Sequence, residues 1–403
     1  MRRILSFVAA VCVGAGLACP ASAQDVPEPE DLARFRLGPI RFTPAIALTN
    51  IGVDTNVFNE FDDPKQDFTI AFGPKVDYWV RLGRARLAGR SSVDYNYFQE
   101  YDSQRFWETG NELKLSVPLN RLVPFVSGAY SSTRQRPGYE IDARAKRTQG
   151  TARAGVDLRL GARTTVTLAA LKQQQDYEAD EVFLGADLRR ALNNDSDGLE
   201  LTVARQLTPL TTFVVAAEQR RDRFEYSHER DADALRVVAG FDLKPFALIS
   251  GSIRVGWRDF RTIDAIVPDY AGLVASGELA YALRATKFGV RLRRDIEYSY
   301  QQFQPYYLLT DVNLEVTQRI TTTWDVVGRI GRQTLDYRAV ALDAGVARTD
   351  RAWRQGGGVG YRLGEIIRLG FDVDRYERAS DIVLRTYGAW RIGGSVTYGI
   401  ATP

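Results

Sequence analysis

The sequence predicts an all-β fold: a transmembrane antiparallel up-and-down β-barrel of about 18 strands (roughly 16–20), with short turns at one end and longer loops at the other. Three observations predict it. Long stretches alternate apolar and polar with a period of two. Tight turns recur every 36 to 48 residues, separated by longer polar breaks. Beyond the leader no stretch stays apolar for the roughly 18 residues a membrane helix needs, so a membrane chain of this composition has to cross as a barrel.

The first 23 residues have the layout of a secretory signal peptide, with Arg2 and Arg3, an apolar run over 4–17 and the small-residue triplet Ala21-Ser22-Ala23. Cleavage there starts the exported chain at Gln24, with a periplasmic tail over 24–40 and the barrel over 41–400. Cys12 and Cys19 both lie in the leader, and Gly16 and Pro20 argue against a lipid-attached cysteine. The exported chain therefore has no disulfide and no cysteine metal site. Its charge is near +1 once Arg2 and Arg3 are gone, and seven of its basic residues are Lys, the rest Arg. That balance lacks the basic stripe of a nucleic-acid binder.

Along the chain, Leu87, Val93, Tyr95 and Tyr97 oppose Arg86, Arg90, Asp94 and Asn96. Ile249, Ile253, Val255 and Trp257 oppose Ser252, Arg254 and Arg258. The clearest run covers 288–301: Phe288, Val290, Leu292, Ile296, Tyr298 and Tyr300 form an oily face against Arg291, Arg293, Asp295, Glu297, Ser299 and Gln301, with Arg294 the one misfit. Val312, Leu314 and Val316 then oppose Asp311, Asn313, Glu315 and Thr317. Ile367, Leu369, Phe371 and Val373 oppose Arg368, Asp372 and Asp374, and Trp390, Ile392, Val396 and Tyr398 oppose Arg391, Ser395 and Thr397. These runs exceed an ordinary globular strand and suit strands that cross a bilayer at a tilt.

Short turns are expected near Gly83, Asn120, Gly161, Pro209, Pro245, Arg284, Thr322 and Gly364. Longer breaks are expected at 59–67, 99–103, 136–145, 178–193, 227–231, 264–271, 305–308, 338–349 and 377–381. Aromatic residues cluster at run ends. Tyr95, Tyr97, Phe106, Trp107, Phe224, Tyr226, Trp257, Tyr298 and Tyr300 stand toward the loops. Tyr78, Phe213, Phe246, Tyr281, Phe288, Trp324, Tyr361 and Tyr398 stand toward the turns. Two such belts match two headgroup layers. A period near 40 also fits a β-propeller, but each period here holds two long runs rather than four short strands.

The polar faces define a lumen. Its basic lining is Arg86, Arg90, Arg254, Arg258, Arg291, Arg293, Arg329, Arg368 and Arg391; its acidic lining includes Asp94, Asp295, Glu297, Asp311, Glu315 and Asp372. Two readings stay open for these charges. Cross-strand ion pairs would stiffen the wall, and local arginine clusters would bind anionic or sugar groups along a hydrated path. A barrel of this size leaves an aqueous channel unless a loop folds inward. The loops at 178–193 and 338–349 are the candidate constrictions. The expected function is passive passage of small hydrophilic solutes, with no reaction catalysed and no cofactor.

Catalysis finds little to build on. The one His, His228, falls in a loop beside Ser227, Glu229 and Asp231, where a hydrolase at the rim is the competing reading. The run 193–198 resembles a calcium-loop fragment without its downstream Glu and is expected to be a turn. Gly356, Gly357, Gly358 and Gly360 read as a bend or close approach in the wall.

Phe35-Arg36-Leu37-Gly38-Pro39, Pro44, the run 52–58 (Gly-Val-Asp-Thr-Asn-Val-Phe), Gly73-Pro74-Lys75-Val76 and the turn Leu82-Gly83-Arg84 resemble the putative beta-barrel porin-2 family of outer-membrane proteins. The resemblance implies an outer-membrane barrel with a transport role, in a family often associated with exopolysaccharide production or export. That association makes polysaccharide export or surface assembly the alternative function. Expected partners are outer-membrane lipid and lipopolysaccharide, the barrel assembly machinery, and small solutes or polysaccharide, with no nucleic acid. One departure is the C-terminus: Tyr398 is the candidate terminal aromatic, and five residues follow it.

Overall fold

The computed structural model describes residues 33–138, 140–245, 247–340 and 348–399. The predicted leader at 1–23, the start of the predicted tail, Phe246, and residues 341–347 of the loop expected at 338–349 lie outside them.

Eighteen long strands make one closed antiparallel sheet. The first seven are β2 (Ile40–Asp54), β3 (Asp67–Leu82), β4 (Ala85–Phe98), β5 (Phe106–Ser116), β6 (Leu122–Thr133), β7 (Arg147–Arg159) and β8 (Thr164–Tyr177). Next come β11 (Asn194–Thr208), β12 (Thr211–Phe224), β13 (Ala232–Leu243), β14 (Ile249–Thr262), β15 (Tyr270–Leu283) and β16 (Thr286–Tyr298). The last are β17 (Tyr306–Arg319), β18 (Trp324–Arg338), β19 (Thr349–Leu363), β20 (Ile367–Ala379) and β21 (Tyr387–Tyr398). β1 (Phe35–Leu37) folds back on the start of β2. The loop after β8 carries the two-residue strands β9 (Val182–Phe183) and β10 (Ala186–Asp187) and the helix α1 (Leu188–Leu192). Each long strand pairs with its successor, and β21 closes on β2 from Ile46↔Tyr398 to Asp54↔Arg391. Closure pairs every long strand with a neighbour on both sides, so the backbone hydrogen bonds through the middle of the wall are met within it, as a hydrocarbon solvent demands; Tyr270–Val274 of β15 pair with β14 alone.

All eight short breaks fall between consecutive strands. Gly83 and Gly364 take the left-handed conformation there, at φ 60° and 66°. Val290, Leu314, Ile330 and Phe371 project from the outer face and are well exposed; Asp325, Arg329 and Asp372 project inward and are ion-paired.

Two local readings are corrected. Residues 194–198 are not a turn; they are already the start of β11, paired with β8 and β12. The oily run 288–301 does not face lipid throughout. β16 stays on β15 only between Arg294 and Thr286, while its pairing with β17 continues up to Tyr298↔Tyr306. Beyond Arg294 the β16–β17 hairpin leaves the wall. Ile296 and Tyr306 are buried in one cluster with Ala232, Ala234 and Phe260 from the inner face of β13 and β14, and Tyr298 packs against it. Phe106 and Phe224, also expected in an outer belt, are likewise buried, whereas Trp107, Trp257 and Tyr226 are exposed.

Candidate functional site

The inner wall and the loops that fold over it form the site. The break between β16 and β17 covers 299–305, and its backbone crosses the mouth. The Ser299 hydroxyl donates to Glu140 Oε1 at 2.5 Å, from the loop between β6 and β7. These two loops leave the barrel eight strands apart, nearly opposite one another, so the contact spans the mouth. Arg230, from the loop between β12 and β13, donates to the carbonyls of Ser299 and Gln301 at 3.0 and 2.9 Å. Arg385, from the loop between β20 and β21, donates to the Tyr300 hydroxyl at 3.0 Å. Tyr300 meets Phe183 edge-on with ring centroids 5.1 Å apart.

A second knot lies beside the first. Arg378 on β20 bridges Asp142 at 2.8 Å and Asp350 on β19. Asp350 also receives Arg348 at 2.6 Å and the Ser380 hydroxyl at 2.7 Å. Arg136 and Arg144 both donate to the Val57 carbonyl, at 2.6 and 3.0 Å, and tie in the first loop. Glu140, Arg378, Arg385 and Asp350 are each at most 2% exposed. Removing such charges from water is costly, and the mutual pairing offsets that cost. Burial pushes the Glu140 carboxyl up to about 7, against the pull of Ser299, Arg385, Arg348 and Arg378. Burial raises Asp142 too, opposed chiefly by Arg378, and lowers Arg144 to about 9 with help from neighbouring Arg136.

Below this plug the lumen holds a cavity of about 960 Å³. Arg258, Arg291, Arg293, Asp295, Glu297 and Asp311 line it. Arg258 holds Asp295 at 2.7 Å, and Arg293 pairs with Glu297 four residues on. Gln149, Gln173 and Gln175 supply an uncharged wall across from them.

Along β17–β21 the charges form a ladder from the short-turn end to the loop end, with Arg329 at the waist. Arg329 reaches Asp372 at 2.8 Å and Glu315 at 3.2 Å; Arg368 and Arg362 share Asp325 at 2.6 and 2.9 Å; Arg391 holds Asp54 at 2.9 Å. Three inward positions of β19 are glycine because the ladder lies over them. A Cβ at Gly356, Gly358 or Gly360 would meet Asp374, Asp372 or Arg368 at 1.9, 2.2 or 2.3 Å.

The pairing register puts thirteen of the fifteen residues expected at the lumen on one face of the wall, and Asp295 and Glu297 on the hairpin beyond Arg294. They do not form one group. Arg254 holds Asp242 at 2.5 Å. On the far wall Arg90 holds Asp77, the Asp94 carboxylate lies over Gly73, and Arg86 stands between Arg81 and Ser116 near a short turn. Sequence reasoning missed the mouth: Glu140, Asp142, Tyr300, Arg348, Asp350, Arg378 and Arg385. The loops at 134–146 and 299–305 make contacts across the mouth, and the expected constriction at 178–193 joins them through Phe183, which meets Tyr300 and lies under Arg385. One signal was available, because Arg378 continues the inward alternation Arg368, Asp372, Asp374, Tyr376.

His228 is largely exposed, with Nδ1 3.5 Å from Asp231. The Ser227 hydroxyl donates instead to the Arg190 carbonyl at 2.7 Å, so the three side chains make no relay. Among the described residues no three His, Cys, Asp or Glu side chains group to hold a metal.

Residues 35–399 match the family described as putative beta-barrel porin 2. Among solved structures the chain is similar to a BenF-like porin from Pseudomonas fluorescens Pf-5, with TM-score 0.50 and 10% identity over 90% of this chain and 98% of that one. It is also similar to the outer membrane protein OpdK from Pseudomonas aeruginosa, with TM-score 0.48 and 10% identity over 89% and 97%. At such identity the likeness to the first is one of fold. No curated protein matches the chain.

Proposed function

The chain belongs to the putative beta-barrel porin 2 family, and we propose that it is an outer-membrane channel for passive passage of small hydrophilic solutes, closed at rest on its loop side. The observation that carries this reading is the pairing of a charged, cavity-bearing lumen with a mouth bridged by Glu140–Ser299 and Arg378–Asp142. A wall this wide has room for water and small solutes, and arginines beside carboxylates offer a solute successive polar partners. The short turns at one end and longer loops at the other support a periplasmic short-turn end and an outward plugged end. Nothing in this mechanism requires bond-making chemistry.

The closed mouth also favours a second reading, export of a polysaccharide that opens the plug from within. Planar-bilayer recording separates the two. The first reading expects brief openings that small sugars or amino acids interrupt; the second expects silence toward them and current only when polymer is supplied.

A further inference from the structure

Outward-facing cations near the loop end are spread unevenly around the barrel. On β8–β14 they are matched by carboxylates. Lys172 lies 3.6 and 3.4 Å from Asp195 and Asp197, Arg223 2.7 Å from Asp233, and Arg261 3.0 Å from Asp259. Arg221 stands between Asp197 and Asp233 in the register.

On β18–β21 the match is incomplete: Asp336 and Glu377 share the outer face, but two of the three arginines near the loop end have no carboxylate partner among the described residues. Arg332 sits over the Trp353 ring at 4.8 Å, and Arg375 over Trp390 at 5.3 Å. Arg351 is two residues from Trp353 on the same face. Among the described residues neither Arg332 nor Arg351 makes an ion pair, and Arg375 pairs only with Glu377.

Their depth is set by the strands. Trp324 and Tyr361 pack together at the short-turn end, with centroids 5.0 Å apart. Arg332 lies eight residues along β18 from Trp324, and Trp353 eight along β19 from Tyr361. At about 3.4 Å per residue and a tilt near 40° this spans roughly 20 Å, close to the height of a barrel's apolar band. Val326, Ile330, Val359, Leu369 and Phe371 fill the interval with exposed apolar surface. The arginines therefore emerge where outer-leaflet headgroups begin, beside tryptophans suited to that layer.

The geometry points to this face of β18–β21 as a docking surface for the phosphorylated headgroup of lipopolysaccharide. Arg332, Arg351 and Arg375 hold phosphate oxygens through planar guanidinium groups, and the acyl chains lie on the apolar band beneath. The assignment rests on the outer-membrane reading and on the sidedness of the loops; it is independent of whether the lumen conducts.

Native mass spectrometry of the detergent-folded barrel with lipid A, against the same lipid stripped of phosphate, tests it. Wild type should retain lipid A and release the stripped lipid. The triple variant R332Q/R351Q/R375Q should lose affinity on the order of 10–100-fold, while R223Q/R261Q on the matched wall keeps it. Heat-modifiable migration checks folding, and R351Q alone should show a smaller loss if the triple variant does not fold. Equal retention of both lipids, or an unchanged affinity in the arginine variants, would overturn the assignment. Channel conductance should be the same in wild type and triple variant, which keeps this result separate from that of the channel reading.

Discussion

The Arg378 pairs at the mouth and the Arg329 pairs at the waist are built from the same side chains in different dielectric settings. At the mouth the Arg378 and Asp350 side chains are 1% and 0% exposed. At the waist Arg329 and Glu315 are 21% and 44% exposed. Buried pairs are costly to break, since either partner left alone is a stranded charge. Hydrated pairs contribute little to stability and exchange readily with water or solute. Desolvated pairs latch the loops at the mouth and, around Asp325, brace the wall near the short turns, whereas the wetter Arg329 pairs line a path.

Breaking the latch should have the largest effect. Arg378→Ala strands Asp142 and weakens the hold on Asp350, a local loss of about 3–5 kcal/mol. Bilayer recording should show long, large openings in place of rare small ones, while heat-modifiable migration persists because the wall is untouched. Unaltered gating in a folded variant would remove Arg378 from the latch.

The next effect is titration of Glu140. Its carboxyl in the closed mouth sits at about 7, above the ordinary value of 4.5. The closed state therefore binds the proton more tightly than an open, hydrated one. Closure is strongest below about pH 4.5, weakens as pH rises through about 7 and is flat above. The range corresponds to about 3 kcal/mol at most. Open probability should rise between pH 5 and pH 8, and Glu140→Gln should flatten the profile at its closed end; a wild-type profile already flat would exclude the switch.

Smaller changes follow at the waist. Gly358→Val places a side chain against Asp372 and should lower the melting temperature by an overpacking cost of about 1–3 kcal/mol. Arg329→Ala should cost under about 1 kcal/mol. It should instead shift the reversal potential in a salt gradient toward cation preference, because Asp372 and Glu315 lose their shared cation.

The wall was legible in the sequence because lipid outside and water inside enforce a strict two-residue period. Gly83 and Gly364 punctuate it where the backbone turns left-handed. The mouth was not legible for the converse reason. Ile296, Tyr298 and Tyr306 are apolar whether they meet lipid or a protein-filled lumen, so alternation alone cannot say that the hairpin leaves the wall after Arg294. Glu140 and Asp142 sit in a loop without periodicity, and their partners Ser299 and Arg378 arrive from segments more than 150 residues away. Desolvation at the mouth is a property of the assembled loops and has no local signature.

The most direct test replaces residues 299–305 with a two-residue turn and compares single-channel conductance with wild type. Wild type should give small or infrequent openings and the shortened loop steady, several-fold larger ones, with ion selectivity still set by the waist. A wild-type pore already open at full conductance, unchanged by losing that loop, would contradict the closed mouth.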